Sequence, residues 1–294
     1  MEFIKLIRVK HWVKNLFLFI PLFFAGEVLN TALYLPLLLG FIAFGLVASS
    51  IYIMNDYKDI ENDKIHPKKK FRPLAAGTIS KRTALIAIPT LLVIGFSIAY
   101  FVSLKFAFVL AVYFIMNVAY TFGLKKIAIL DIIIVSIGFV LRIKAGSIIT
   151  LVPLSQWIII MVFLLALFLA IAKRRDDLII KEASGTDVRA ASKKYTLEYL
   201  NTALSLISGV IIVAYLMYTL SPDVIDRMGT YRLFYTSLFV IAGILRYLQL
   251  ALVENNTGSP TSLLYKDRFI QGVITLWVLS FYLLIYFKEF SLFV

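Results

Sequence analysis

The stretch Asn55-Asp56-Tyr57-Lys58-Asp59-Ile60-Glu61-Asn62-Asp63 gathers the chain's best oxygen ligands in one place. Asn55, Asp59 and Asp63 recur at i, i+4 and i+8, so a helix continuing from the apolar run before them puts all three on one face. Like charges at that spacing repel, and the arrangement calls for a cation. Magnesium usually takes one or two carboxylates and completes its shell with water and substrate phosphates, which suits a metal arriving with a diphosphate. The plainer reading is a solvated acidic helix end with Lys58 and Lys64 as ion-pair partners. Ionisable groups at a membrane helix end are costly to place, however, and that favours function. Cysteine is absent and the only histidines are His11 and His66. Thiol chemistry and histidine-based metal centres are thereby excluded, which leaves oxygen-bound magnesium, calcium or manganese.

Cations lie beside this cluster. The segment His66-Pro67-Lys68-Lys69-Lys70-Phe71-Arg72-Pro73-Leu74-Ala75-Ala76-Gly77 reads as an ordered loop from its prolines and glycine. Arg72, between Phe71 and Pro73, suits bidentate contact with phosphate oxygens. Lys68 to Lys70 taken alone read more simply as a basic patch on acidic lipid. Arg142 and Lys144 interrupt an apolar run. Asp131 is about three turns from Arg142, too far to pair with it directly, so the sequence suggests a bound anion there, while Lys144 can snorkel to an interface. Lys173-Arg174-Arg175-Asp176-Asp177 closes another apolar run, where cations also suit the helix dipole. Arg189, Lys193, Lys194 and Tyr195 either line a second anion pocket or form a solvated face.

The elements that must position these groups are membrane helices. Of 294 residues 61% are hydrophobic, the mean hydropathy is +0.90, and the charges cluster between apolar runs of bilayer-spanning length. No run alternates as a barrel strand would. Nine spans are predicted, at about Leu16–Val28, Leu33–Met54, Ala84–Leu104, Phe106–Phe122, Ile129–Thr150, Leu154–Ala172, Thr202–Leu220, Leu233–Val253 and Phe269–Phe287. No small-x-small cleavage site follows the first, which is therefore read as a helix and not a signal peptide. With the N-terminus in the cytoplasm, nearly all Lys and Arg fall on that side, and only Lys105, Arg227, Arg232 and Lys288 fall outside. The chain is expected to form a single membrane-embedded helical domain over residues 1–294, with cytoplasmic motif loops at about 55–83 and 173–201. The net charge of +13 then reads as topology, lipid headgroups and anionic substrates, with no nucleic acid expected.

At these residues a resemblance becomes specific. Asn55 to Asp63 resembles the first aspartate-rich motif of the UbiA superfamily of intramembrane prenyltransferases. Within it the chain looks most like the decaprenyl-phosphate phosphoribosyltransferase branch. The marks are Arg8-Val9-Lys10-His11-Trp12-Val13-Lys14-Asn15, the His66 to Gly77 segment, Asp131 to Gly146, Lys173-Arg174 with Asp177-Leu178, and Lys193-Lys194-Tyr195. Val9 and His11 depart from the branch's Pro and Gln. Lys181 stands four residues after Asp177, where aromatic prenyltransferases repeat an aspartate. The resemblance implies an all-α fold of nine helices around a central, laterally open cavity, in the cell membrane with its site facing the cytoplasm. It implies a magnesium ion on Asn55, Asp59 and Asp63, which would be the catalytic residues. Substrate contacts would fall to Lys14, Asn15, Asp56, Lys68, Arg72, Arg142, Lys173, Arg174, Asp177, Lys194 and Tyr195.

The implied reaction joins 5-phosphoribosyl 1-diphosphate to a polyprenyl phosphate and releases diphosphate. The lipid phosphate is already anionic, so no general base is needed, in keeping with the scarcity of histidine. A prenyl diphosphate donor acting on an aromatic or other acceptor is the alternative within the superfamily. A transporter of anionic solutes would place charge on both membrane faces, and this chain does not. A homo-oligomer is compatible with the sequence.

Overall fold

The computed structural model describes residues 2–65, 69–184, 194–254 and 266–287, with the side chains of 181–184 left aside. Lys68, Arg189, Lys193 and Lys288, the residues 66–67 and the Lys181 side chain therefore lie outside the description. Every regular element among the described residues is helical. Among the described residues eight helices are long and apolar enough to cross a membrane. Their outer faces are apolar too: Phe101 is 86% and Phe108 70% exposed, which lipid tolerates and water does not.

The chain divides into two compact units, Met1–Pro153 and Leu154–Val294. In the first, α1 (Glu2–Leu6) leads to a 3-10 helix over Val9–Phe19 and to α2 (Ile20–Phe24). The long helices α3 (Tyr34–Lys58), α5 (Lys81–Val102), α6 (Leu104–Phe122) and α7 (Leu130–Thr150) follow, with the short α4 (Ile60–Ile65) between α3 and α5. The second unit holds α8 (Gln156–Ser184), α9 (Leu197–Thr219), α10 (Pro222–Met228), α11 (Ser237–Leu252) and α12 (Arg268–Tyr286). Here α8 packs along α9, and α11 packs on α9 and α12. Ser80, Thr196 and Asp267 cap α5, α9 and α12 by accepting from Thr83 N, Tyr199 N and Ile270 N at 3.1, 3.1 and 2.8 Å.

The span expected at Leu16–Val28 is the one that does not appear as a long helix. Its residues are shared between the 3-10 helix, α2 and a turn, and the packing explains why. Three residues per turn eclipse Trp12, Asn15 and Leu18 on one face. Trp12 lies over Gly45, where an added Cβ would meet its ring at 2.7 Å, and the Leu18 carbonyl lies 2.0 Å from where a Cβ on Gly146 would stand. Trp12 Nε1 donates to Ser49 Oγ at 3.0 Å. Asn15 is buried and accepts from Arg142 Nε at 3.1 Å. An α-helical period of 3.6 would carry one of the three contacts off the face.

Arg142 differs from the expectation of an anion ligand. It is 4% exposed and gives its donors to protein oxygens: Asn15 Oδ1, Gly138 O at 2.8 Å and Tyr113 Oη at 2.9 Å. Its guanidinium also lies 4.9, 4.8 and 5.5 Å from the ring centroids of Phe44, Tyr113 and Phe139. Aromatic faces and neutral acceptors thus stand where a carboxylate or phosphate was expected. Lysine cannot make this fork. Arg142→Lys and Arg142→Met should each cost about 1–3 kcal/mol through the acceptors left unpaired, seen as a lower melting point in detergent. A melting point equal to wild type for both variants would refute the structural role.

Candidate active site

Ile53 and Ile60 are buried with Leu6, Leu74, Ala84 and Ala87 in a small core beneath the Asp-rich segment. That core pins the end of α3, α4 and the start of α5. Asp59 sits between α3 and α4, but Asp59 N still bonds Asn55 O at 3.0 Å and Asp63 N bonds Asp59 O at 2.8 Å. The helical register therefore survives the break, as the i, i+4, i+8 reading requires.

The side chains nevertheless divide into two groups. Lys125, in the turn between α6 and α7, donates to Asn55 Oδ1 at 3.0 Å and to Asp59 Oδ2 at 2.8 Å. Arg72 Nη1 bridges Asp56 Oδ1 at 3.0 Å and Asp63 Oδ2 at 2.6 Å. Arg8 Nη2 also donates to Asp56 Oδ1. Asp63 thus joins Asp56, while Asn55 joins Asp59. Asp56 and Asp63 are buried, whereas Asp59 keeps 25% of its side chain exposed. Burial pushes the Asp63 carboxyl above the usual aspartate range, against the opposing pull of Arg72. Arg8 occupies the left-handed region at φ 51, ψ 48, a strained conformation for a residue with a Cβ.

Asn55 Oδ1 and Asp59 Oδ2 converge on one ammonium, so this pair is already spaced around a positive charge. Among the described residues no three His, Asp or Glu side chains surround a common point. The chain thus offers part of a shell, as magnesium sites completed by substrate phosphates require.

Two members of the cluster escaped sequence reasoning. Arg8 was visible only as part of an N-terminal motif, and its αL conformation carries no local signal. Lys125 was placed on the cytoplasmic side by its charge, but nothing in its neighbourhood indicates a partner 66 positions earlier. Of the other expected contacts in this unit, Asn15 is engaged by Arg142, and Lys14 is half-buried on the same 3-10 helix.

In the second unit the residues expected to open a loop at 173 instead continue α8 to Ser184. Arg174 and Asp177 pair at 3.2 Å one turn apart. Arg175 Nε donates to Asn201 Oδ1 on α9 at 2.7 Å. Arg174, Arg175 and Asp176 are buried and Lys173 is exposed. Lys194 is exposed, while Tyr195 is buried and stacked on Tyr199 at 5.9 Å.

The model of the UbiA prenyltransferase family matches residues 16–273. The decaprenyl-phosphate phosphoribosyltransferase of Mycolicibacterium smegmatis is 34% identical over 97% of this chain and 92% of its own. The protein of that name from Corynebacterium glutamicum is 31% identical over 96% of this chain and 86% of its own. Among solved structures, a UbiA homologue from Archaeoglobus fulgidus bound to GPP and Mg2+ superposes with a TM-score of 0.74 at 20% identity, covering 97% of this chain and 99% of that one. A digeranylgeranylglyceryl phosphate synthase superposes with a TM-score of 0.64 at 18% identity, over 96% of each chain.

Proposed function

The chain belongs to the UbiA prenyltransferase family, and from that premise we propose that it is a membrane enzyme transferring the 5-phosphoribosyl group of 5-phosphoribosyl 1-diphosphate to a polyprenyl phosphate. The observation that carries the reading is the near-full-length identity of about a third with proteins named for that reaction on decaprenyl phosphate.

In this reading the anomeric carbon leaves the diphosphate oxygen and bonds an oxygen of the lipid phosphate, and diphosphate departs with the electron pair. Magnesium, held by Asn55 and Asp59 with Asp63 nearby, would neutralise charge on the leaving group when bound. The chain's own cations complete the neutralisation. Arg72, bridging Asp56 and Asp63, presents its remaining donors beside the carboxylates, and Arg8 pairs with the same Asp56 oxygen as Arg72. Lys125 is within reach of the same phosphates. No group needs to take a proton, because the acceptor oxygen is already ionised. Positioning and charge complementarity supply the rate. Lys173, Arg174, Asp177, Lys194 and Tyr195 are assigned to substrate on the family resemblance. The bias of Lys and Arg toward one side of the spans supports a site at the cytoplasmic face.

The direct test is transfer of labelled phosphoribose into the lipid fraction by purified protein in detergent, with polyprenyl phosphate, with and without magnesium. Label entering lipid only with magnesium is the expected result. If no label moves, while a prenyl diphosphate is consumed with an aromatic acceptor, the enzyme is an ordinary prenyltransferase and the present reading is wrong.

A further inference from the structure

We propose that Lys125 is a place-holder for the metal: its ammonium weakens the hold of the Asn55–Asp59 pair on a divalent cation until a diphosphate draws the lysine away, so that metal and diphosphate each bind more tightly in the other's presence. The inference rests on the metal-site reading above and concerns the order in which that site fills.

Three observations carry it. The lysine contacts both oxygens of the pair, at 3.0 and 2.8 Å, and an ammonium and a divalent ion cannot share two oxygens without strong repulsion. The charges of the cluster also balance. Asp56, Asp59 and Asp63 face Arg8, Arg72 and Lys125, each carboxylate touching at least one cation. The site therefore has no surplus negative charge to attract a free divalent ion. A diphosphate carries more negative charge than the ion carries positive, so the two together leave a smaller imbalance than either alone.

Finally, the three contacts are unequal in exposure. Asp56 and Asp63 are buried under shared arginines, whereas the Lys125 and Asp59 side chains are 20% and 25% exposed. Asp59 is thus the carboxylate of the three that an arriving phosphate or ion can reach from solvent. Lys125 reaches the cluster on a flexible four-carbon stem, from a turn whose Gly123 has nothing within 4 Å of a Cβ position. Swinging from a carboxylate to a phosphate oxygen exchanges one charge-assisted hydrogen bond for another.

Linkage makes the proposal measurable, since each ligand must tighten the other by the same factor. The probes are manganese, followed by its electron spin resonance, and inorganic diphosphate, with the full chain in detergent and the solution manganese–diphosphate complex measured separately. Diphosphate should tighten manganese binding to the wild type about tenfold or more. Lys125→Met should bind manganese alone about tenfold more tightly than wild type and lose most of that coupling. Lys58→Met is the control for charge at large. Its ammonium lies on Thr121 O at 3.1 Å and over the Phe122 ring instead of on the pair, so it should shift manganese affinity less than about threefold. Equal manganese affinity in wild type and Lys125→Met, or an equal gain in Lys58→Met, overturns the proposal. Asp59→Ala separates the two levels of the argument. If it abolishes manganese binding while Lys125→Met behaves as wild type, the metal site stands and the place-holder falls. If it binds manganese like wild type, the metal site falls and takes the place-holder with it. Neither probe contains ribose or lipid, so the result is independent of which diphosphate the enzyme consumes.

Discussion

Asp59→Ala should lower phosphoribosyl transfer by on the order of a thousandfold or more while the helices remain folded. The two halves of this expectation have separate grounds. Asp59 is the accessible carboxylate of the cluster, and with Asn55 it forms the oxygen pair that already surrounds a positive charge. Removing it takes away the charged half of that pair and the counter-ion of Lys125. The fold should survive, because the core beneath the segment is built from Leu6, Ile53, Ile60, Leu74, Ala84 and Ala87 and not from this ion pair. Asp59 also lies between α3 and α4, and its backbone bonds do not depend on its side chain. Transfer measured beside circular dichroism and a detergent melting curve gives both quantities. Activity within a few-fold of wild type would refute the assignment of the metal to this end of α3.

Gly146→Ala should be the most damaging single-methyl change in the first unit. A Cβ there would lie 2.0 Å from Leu18 O, 2.8 Å from Leu18 C and 3.0 Å from Leu18 Cα. All three are backbone atoms, so no rotamer change relieves the overlap, and α7 must part from the 3-10 helix. That separation breaks the Asn15–Arg142 contact and loosens the chain that delivers Arg8 to Asp56. Overpacking of this kind costs about 3 kcal/mol or more, a fall in melting point of roughly 6–12 °C for a chain of this size. Gly209→Ala is the matched control, because nothing lies within 4 Å of its Cβ position; alanine in that helix should be neutral or slightly stabilising. Identical melting curves for the two variants would show that the approach of Leu18 to Gly146 is not tight in the protein.

The long helices were legible because hydropathy and length alone define a bilayer-spanning segment, and seven of the expected spans with their ends reappear within a few residues. The exceptions have local causes. Charges at 173–177 read as a helix end, but Arg174 pairs with Asp177 along the helix and Arg175 reaches Asn201 on α9, so α8 continues. The segment after Arg8 was read with an α-helical or apolar-run template, while its packing follows a period of three through Trp12, Asn15 and Leu18. At the site, the acidic motif was legible because its members are local in sequence. Its partition into an Asn55–Asp59 pair and an Asp56–Asp63 pair was not, since it is imposed by Lys125, Arg72 and Arg8, two of them distant in the chain. Arg142 shows the converse. A lone cation in an apolar helix suggested an anion, because three aromatic faces and an asparagine from elsewhere in the fold leave no trace in its neighbours.

The eclipsed face of the 3-10 helix sets a rule for how this part of the chain can change over time. With three residues per turn, the shift caused by losing one residue rotates the segment by a full third of a circle. Val13 and Leu16, now 39% and 54% exposed, would then point inward with Phe19, and the Arg142 guanidinium would meet hydrocarbon where it now meets an amide oxygen. Lipid-facing positions on the other two edges can exchange one apolar residue for another freely. The segment can therefore drift widely in composition among descendants of this gene while its length stays fixed between the strained Arg8 and the carbonyl of Leu18.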